Sequence, residues 1–96
     1  MVHVIPVDAL DVVEARDDYV RLRAKGREYR KQQTLSGLEA QLDPARFVRV
    51  HRSFIVNVGR IVRVERYAKD SRLALLSDGS KLPVSRTGYA RLREKL

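Results

Sequence analysis

The chain has 96 residues, which leaves room for one hydrophobic core and not two. Its 20 Lys+Arg exceed 12 Asp+Glu for a formal net charge of +8, and fifteen of the basic residues are Arg, the side chain suited to bidentate contacts with phosphate and guanine. The absence of cysteine excludes a disulfide scaffold and a thiolate site, and the longest apolar run, Leu73–Leu76, falls far short of the roughly 20 residues that span a bilayer. No signal sequence is evident. The expectation is a single soluble domain, cytoplasmic and without membrane contact.

In chain order, Val2–Ile5 reads as a short strand ending at Pro6. Val12 and Val13 belong to a second strand, which runs into the polar tetrad Arg16-Asp17-Asp18-Tyr19. Val20, Leu22 and Ala24 then alternate with Arg21 and Arg23, the period of a half-buried strand. Lys25-Gly26-Arg27 forms a turn, and Glu28–Gln33 returns as a polar edge. Ser36 followed by Glu39 matches a capping box, with Leu35, Leu38 and Leu42 at helical spacing up to Asp43-Pro44. Phe47–His51, Phe54–Val58, Ile61–Tyr67, Leu73–Leu76 and Lys81–Val84 read as strands. The last two are joined across Asp78-Gly79, a strong hairpin signal. From Ser85, an N-cap candidate, Tyr89, Leu92 and Leu96 share one helical face. The fold class is mainly β, with seven to ten short antiparallel strands and two short helices in one domain over residues 1–96.

Charge is unevenly distributed. Residues 1–18 hold five acids and one base, whereas 46–66 hold six Arg and one Glu. An Arg-rich middle behind an acidic start is the footprint of a polyanion binder. Catalytic chemistry is missing. His3 and His51 have no partner at metal-ligand spacing, and the five glycines are isolated, so no metal, cofactor or phosphate-cradling loop is expected. Asp17-Asp18 reads as a solvated turn, and His51-Arg52-Ser53 has no orienting acid nearby. The domain is not expected to be an enzyme.

The most distinctive stretch is Phe47-Val48-Arg49-Val50-His51-Arg52-Ser53-Phe54-Ile55-Val56-Asn57. It resembles the central signature of the LytTR family, the DNA-binding domain of AlgR/AgrA/LytR-type bacterial response regulators. Val12-Val13-Glu14-Ala15 with Tyr19-Val20, Leu35-Ser36-Gly37-Leu38-Glu39 with Leu42, and Leu82-Pro83-Val84-Ser85-Arg86 with Tyr89 extend the resemblance over residues 4–96. It implies small antiparallel sheets in an elongated array with helices at the side. It also implies loops, not a recognition helix, entering the major groove of DNA in a transcriptional regulator of a two-component system. The family's contact positions fall on the loop from Arg16 through Asp18 to Tyr19, on Arg52 and on Arg86.

The residues themselves agree with that placement. Arg52 lies where a strand breaks, and Arg86 opens a helix, where free N–H groups favour phosphate. Asp17 and Asp18 either accept from cytosine N4 or hold the loop in shape. Arg49, Arg60, Arg63, Lys81 and Arg91 are candidates for phosphate contacts, which position without specifying. His51 and Asn57 read as internal hydrogen-bonding residues, Ser53 and Ser85 as braces of the adjoining backbone. Phe47, Val50, Phe54, Ile55, Val56, Leu38, Leu42, Tyr89 and Leu92 read as core.

Two rival readings are an RNA-binding module and a basic protein-interaction domain. RNA modules display aromatics for stacking on unpaired bases. Here there are six aromatics, mostly at core-like positions, which favours duplex DNA. No long apolar heptad is present, so the isolated domain is expected to be a monomer that pairs on repeated DNA sites or through another domain.

Overall fold

The computed structural model describes residues 5–96. Eight strands are β1 (Leu10–Ala15), β2 (Val20–Ala24), β3 (Arg27–Lys31), β4 (Phe47–His51), β5 (Phe54–Asn57), β6 (Ile61–Ala68), β7 (Ser71–Leu76) and β8 (Lys81–Val84). Helix α1 (Leu35–Glu39) separates β3 from β4, and α2 (Arg86–Arg93) follows β8. Two sheets form, ordered β3-β2-β1-β5-β4 and β6-β7-β8, and every pairing is antiparallel. The molecule is elongated, 45 × 24 × 22 Å.

Strand alternation decides how the sheets stack. Val13 and Ile55 face one side, where Leu10, Val20, Leu22, Leu35, Leu38, Leu42 and Phe47 close a core beneath α1. Val12 and Val56 face the other, where Val48 and Val50 meet Ala74, Leu76, Leu82, Val84 and Leu92. Strands β1 and β5 are thus buried on both faces, which requires their adjacent valines and isoleucine. Between β2 and β3, Lys25 (φ 52) and Gly26 (φ 74) both take positive φ, the two-residue turn whose twist suits a hairpin. Buried Asn57 donates from Nδ2 to the Leu10 carbonyl (3.0 Å) and accepts at Oδ1 from the Gly59 N–H (3.0 Å), which is the internal role read from the sequence.

Several details differ from the sequence expectation. The α1 cap is Thr34, not Ser36. Thr34 has extended backbone and its Oγ1 accepts from the Gly37 N–H at 3.0 Å, so the helix starts two residues earlier and Glu39 is released from capping. The helix itself ends by Glu39, and Leu42 is buried from the turn that follows. Leu96 lies past the end of α2 and is 71% exposed, so it does not share the buried face of Tyr89 and Leu92. Of the strand expected at Val2–Ile5, residues 2–4 lie outside the described residues, and Ile5 belongs to no strand.

Candidate nucleic-acid interface

Antiparallel pairing brings separate connections to one end of the sheets. Strand β1 ends and β2 begins there, with Ala15 opposite Val20. Strand β5 starts there, with Phe54 opposite Glu14. Backbone bonds lock these connections together. The Ala15 N–H donates to the Ser53 carbonyl at 2.8 Å, tying the β1–β2 loop to the β4–β5 turn. The Ser85 N–H donates to the Val50 carbonyl at 2.8 Å, tying the start of α2 to the same turn.

The second tie has a local cause. The β4–β5 register passes from Arg49 opposite Ile55 to His51 opposite Phe54, which leaves Val50 as an extra residue. Its carbonyl therefore accepts from the cap of α2, and the Ser85 hydroxyl also donates to it at 3.3 Å. Ser85 Oγ in turn accepts from the Gly88 N–H at 2.9 Å, the N-cap expected from the sequence.

Arg52 and Arg86 stand on these two tied elements. Arg52 is the exposed centre of the β4–β5 turn, and Arg86 is the exposed first residue of α2. Neither side chain has a hydrogen bond or ion pair among the described residues. Within the turn, His51 Nδ1 accepts from the Ser53 N–H at 3.1 Å, and the His51 ring lies 5.8 Å from that of Phe54. His51 thus braces the loop that carries Arg52. A cleft of about 390 Å³ separates the turn from α2, with Arg52 on one wall and Ser85, Thr87 and Arg91 on the other.

The β1–β2 loop is held from the side. Gln32 Nε2 donates to the Asp18 carbonyl (2.9 Å) and to its Oδ2 (3.1 Å). The Arg30 guanidinium stacks 3.9 Å from the Tyr19 ring centre. Arg16 is loosely opposite Glu14 at 3.7 Å, and its backbone N–H closes the loop onto the Tyr19 carbonyl at 2.9 Å. Asp18 and Tyr19 therefore shape this loop, and Asp17 is left exposed at its tip.

Arg49 is placed otherwise than its reading as a phosphate contact suggests. Its guanidinium donates to Ser36 Oγ (3.0 Å), Glu39 Oε1 (3.3 Å) and the Arg52 carbonyl (2.6 Å). It pins the β4–β5 turn to α1, and its side chain is only 22% exposed. Arg63 is not brought to this end at all. It pairs with Leu75 beside the β7–β8 turn and donates to Glu65 at 3.2 Å. Gln32, Thr87 and Arg30 were not singled out in sequence. Only Thr87 carried a usable signal there, four residues before Arg91 on one helical face.

Ion pairs engage several of the remaining cations. At the far end Asp8 pairs with Arg46, Asp11 with Arg60 (2.6 Å), and Glu65 with both Arg63 (3.2 Å) and Lys81 (3.5 Å). Asp78 there lies 3.6 Å from Arg23. Hydrogen bonds from the Ser80 hydroxyl and backbone N–H hold the Asp78 carboxyl below its ordinary value, and the Arg63 hydrogen bond does the same to Glu65. Near the β7–β8 turn Arg23, Arg63 and Lys81 each face a carboxylate, whereas Arg52, Arg86 and Arg91 have no ion pair among the described residues.

Comparison with known proteins agrees with this geometry. Over 95 residues the chain is 36% identical to the sensory transduction protein LytT of Bacillus subtilis, covering 97% of the chain and 39% of that protein. It is 32% identical over 96 residues to the heme-containing CO-sensing transcriptional regulator RcoM 2 of Paraburkholderia xenovorans, covering 97% and 36%. The chain thus spans less than two-fifths of the length of these curated relatives. The LytTr DNA-binding domain of a methyl-accepting/DNA response regulator from Bacillus cereus superposes with a TM-score of 0.86 at 27% identity, covering 95% of this chain and 84% of that one. The family model described as the LytTr DNA-binding domain matches residues 1–96, and the chain belongs to that family of DNA-binding domains.

Proposed function

We propose that this domain reads duplex DNA in a sequence-specific way through its loop end, as the output domain of a bacterial transcriptional regulator. In this reading Arg86 and Arg52 are the base readers, with a guanidinium matched to guanine O6 and N7. The β1–β2 loop, from Arg16 through Asp18 to Tyr19, enters a neighbouring groove. Arg91 supplies a phosphate contact, and Arg49 holds the turn that presents Arg52. Arg63, at the far end, is demoted to a general electrostatic contribution. The domain acts in the cytoplasm as a monomer that occupies repeated sites side by side.

The observation that carries the proposal is the tie between the β4–β5 turn and the α2 cap through the Val50 carbonyl. It sets the backbones of Arg52 and Arg86 on one frame, and neither guanidinium has a protein acceptor among the described residues. The shared frame fixes the backbone positions and spacing of the two arginines, which lowers the cost of presenting them together to base edges.

The test is a selection from a random duplex pool, followed by titrations on the selected and scrambled duplexes, single-stranded DNA and structured RNA at equal salt. A selected motif with guanines at fixed spacing is expected. With about four to six phosphates neutralised, log affinity should fall against log salt with a slope near −4 to −5. Equal affinity for every sequence, or a slope near zero, overturns the proposal.

A further inference from the structure

We infer that the tip of the β6–β7 hairpin is a further DNA contact, seated on the sugar–phosphate backbone beside the base-reading loops. This rests on the DNA-reading proposal above and extends it to a surface that proposal does not use.

Strand register supplies the position. Arg72 lies opposite both Arg66 and Val84, so the hairpin tip at 68–71 is level with the end of β8, from which Ser85 and Arg86 follow. The tip therefore belongs to the loop end of the molecule, whereas the β7–β8 turn belongs to the far end. It lies on the second sheet, beside α2.

Its chemistry suits a phosphate backbone. The β6–β7 register passes from Arg66 opposite Arg72 to Ala68 opposite Ser71, so Tyr67 is an extra residue with no partner in β7. Tyr67 is 62% exposed, one of few large apolar side chains outside the core. Arg66 Nη2 donates to the Lys69 carbonyl at 3.0 Å, which fixes the tip. The exposed Lys69 has no carboxylate partner among the described residues. The Arg72 guanidinium stacks 3.8 Å from the Tyr89 ring centre and so stays against α2. From Arg66 to Arg72 there are three cations and one carboxylate, Asp70.

The Tyr67 ring stands in solvent between Arg66 and Lys69, with its hydroxyl free to meet a ligand. A phenol hydroxyl donates to a phosphate oxygen, and a lysine serves as a point charge on the same backbone. Continuity with the loop end and the positive charge select duplex DNA as the occupant over an acidic protein. The bulge at Tyr67 also disfavours pairing of this edge with another strand.

The test uses the chain carrying Tyr67→Ala and Lys69→Ala together, on the selected duplex in two lengths. One duplex ends at the base-read core, and the other extends about 10 base pairs beyond it on each side. On the long duplex the variant should bind about three- to tenfold more weakly, with the salt slope shallower by about 1 for the lost lysine contact. On the short duplex it should match the parent. Base preference and melting temperature should be unchanged, since both side chains are exposed. Lys69→Glu should weaken the long duplex further. A variant that binds both lengths as the parent does overturns the inference, and so does an equal loss on both. Arg86→Ala serves as the control. If the parent is sequence-specific and Arg86→Ala reduces that specificity while the hairpin variants change nothing, this inference fails and the loop reading stands. If the parent shows no specificity, the loop reading itself fails.

Discussion

Gly88 lies directly against the backbone of Val50: a Cβ at Gly88 would sit 1.9 Å from the Val50 carbonyl oxygen. Its conformation is ordinary helix, so glycine is needed here for close approach and not for a positive φ. The contact seats α2 on β4 and sets the separation of Arg86 from Arg52. Gly88→Ala should therefore push the helix away and destabilise the domain by about 3 kcal/mol or more, as overpacking against rigid backbone does. Thermal melting checks this, with Thr87→Ala, an exposed neighbour, expected to melt like the parent.

Arg86→Ala should cost about 1–3 kcal/mol on the selected duplex, the expected loss for one bidentate base contact. Scrambled duplex should lose little, because one charge of many is removed. Arg52→Ala should act in the same direction at a different base position. Arg63→Ala should weaken both duplexes equally and slightly, since Arg63 is far from the loops and already paired with Glu65. Paired titrations on cognate and scrambled DNA measure all three. If Arg86→Ala changed both affinities by one factor, Arg86 would be a backbone contact.

Arg49 is expected to behave as a brace. Arg49→Ala removes the donor to the Arg52 carbonyl and unlinks α1 from the β4–β5 turn. Loss of these charge-assisted bonds, the one to Glu39 part-buried, should cost about 1.5–3 kcal/mol of stability and weaken cognate DNA more than scrambled DNA. A double-mutant cycle separates this from a phosphate contact. Ser36→Ala should have a much smaller effect in the Arg49→Ala background than in the parent, because the two share one bond.

What could be read from the sequence follows the range of each interaction. The eight strands and α2 were legible because their alternation and turns are local: Asp78-Gly79 and Ser85 mark their own neighbourhoods. The α1 cap is ambiguous in the sequence because Thr34 and Ser36 both satisfy a local rule, and only the extended backbone at Thr34 chooses between them. Arg49 looked like any surface arginine. Its commitment depends on Ser36 and Glu39, which are remote in sequence until α1 packs beside β4. The Val50 bulge and the level of the β6–β7 tip are matters of register, which hydrophobic pattern constrains but does not number. Arg52 and Arg86 were named from a family resemblance, and what the sequence alone could not supply is the shared carbonyl that joins them.

The far end should be the acid-sensitive part of the molecule. Asp78 accepts from the Ser80 hydroxyl at 2.6 Å and from its N–H at 2.9 Å, and Arg23 Nη2 donates to Ser80 Oγ at 2.8 Å. These bonds join β2 of the first sheet to the β7–β8 turn of the second. The Ser80 hydrogen bonds lower the Asp78 pKa from its ordinary 3.8, so the folded carboxyl holds its proton less tightly than the unfolded one. Its contribution is then fully present above the unfolded value and is lost as pH falls through the lower folded value. Ser80→Ala deletes the largest cause of the shift. The variant should melt below the parent at pH 7, and the gap should narrow as pH drops below about 3.8. Because the change sits at the end opposite the loops, affinity and base preference at neutral pH should stay those of the parent. Melting curves across the acid range measure the first effect and a titration on the selected duplex the second. A gap that widened with acid would show that Asp78 is not stabilised in its charged form.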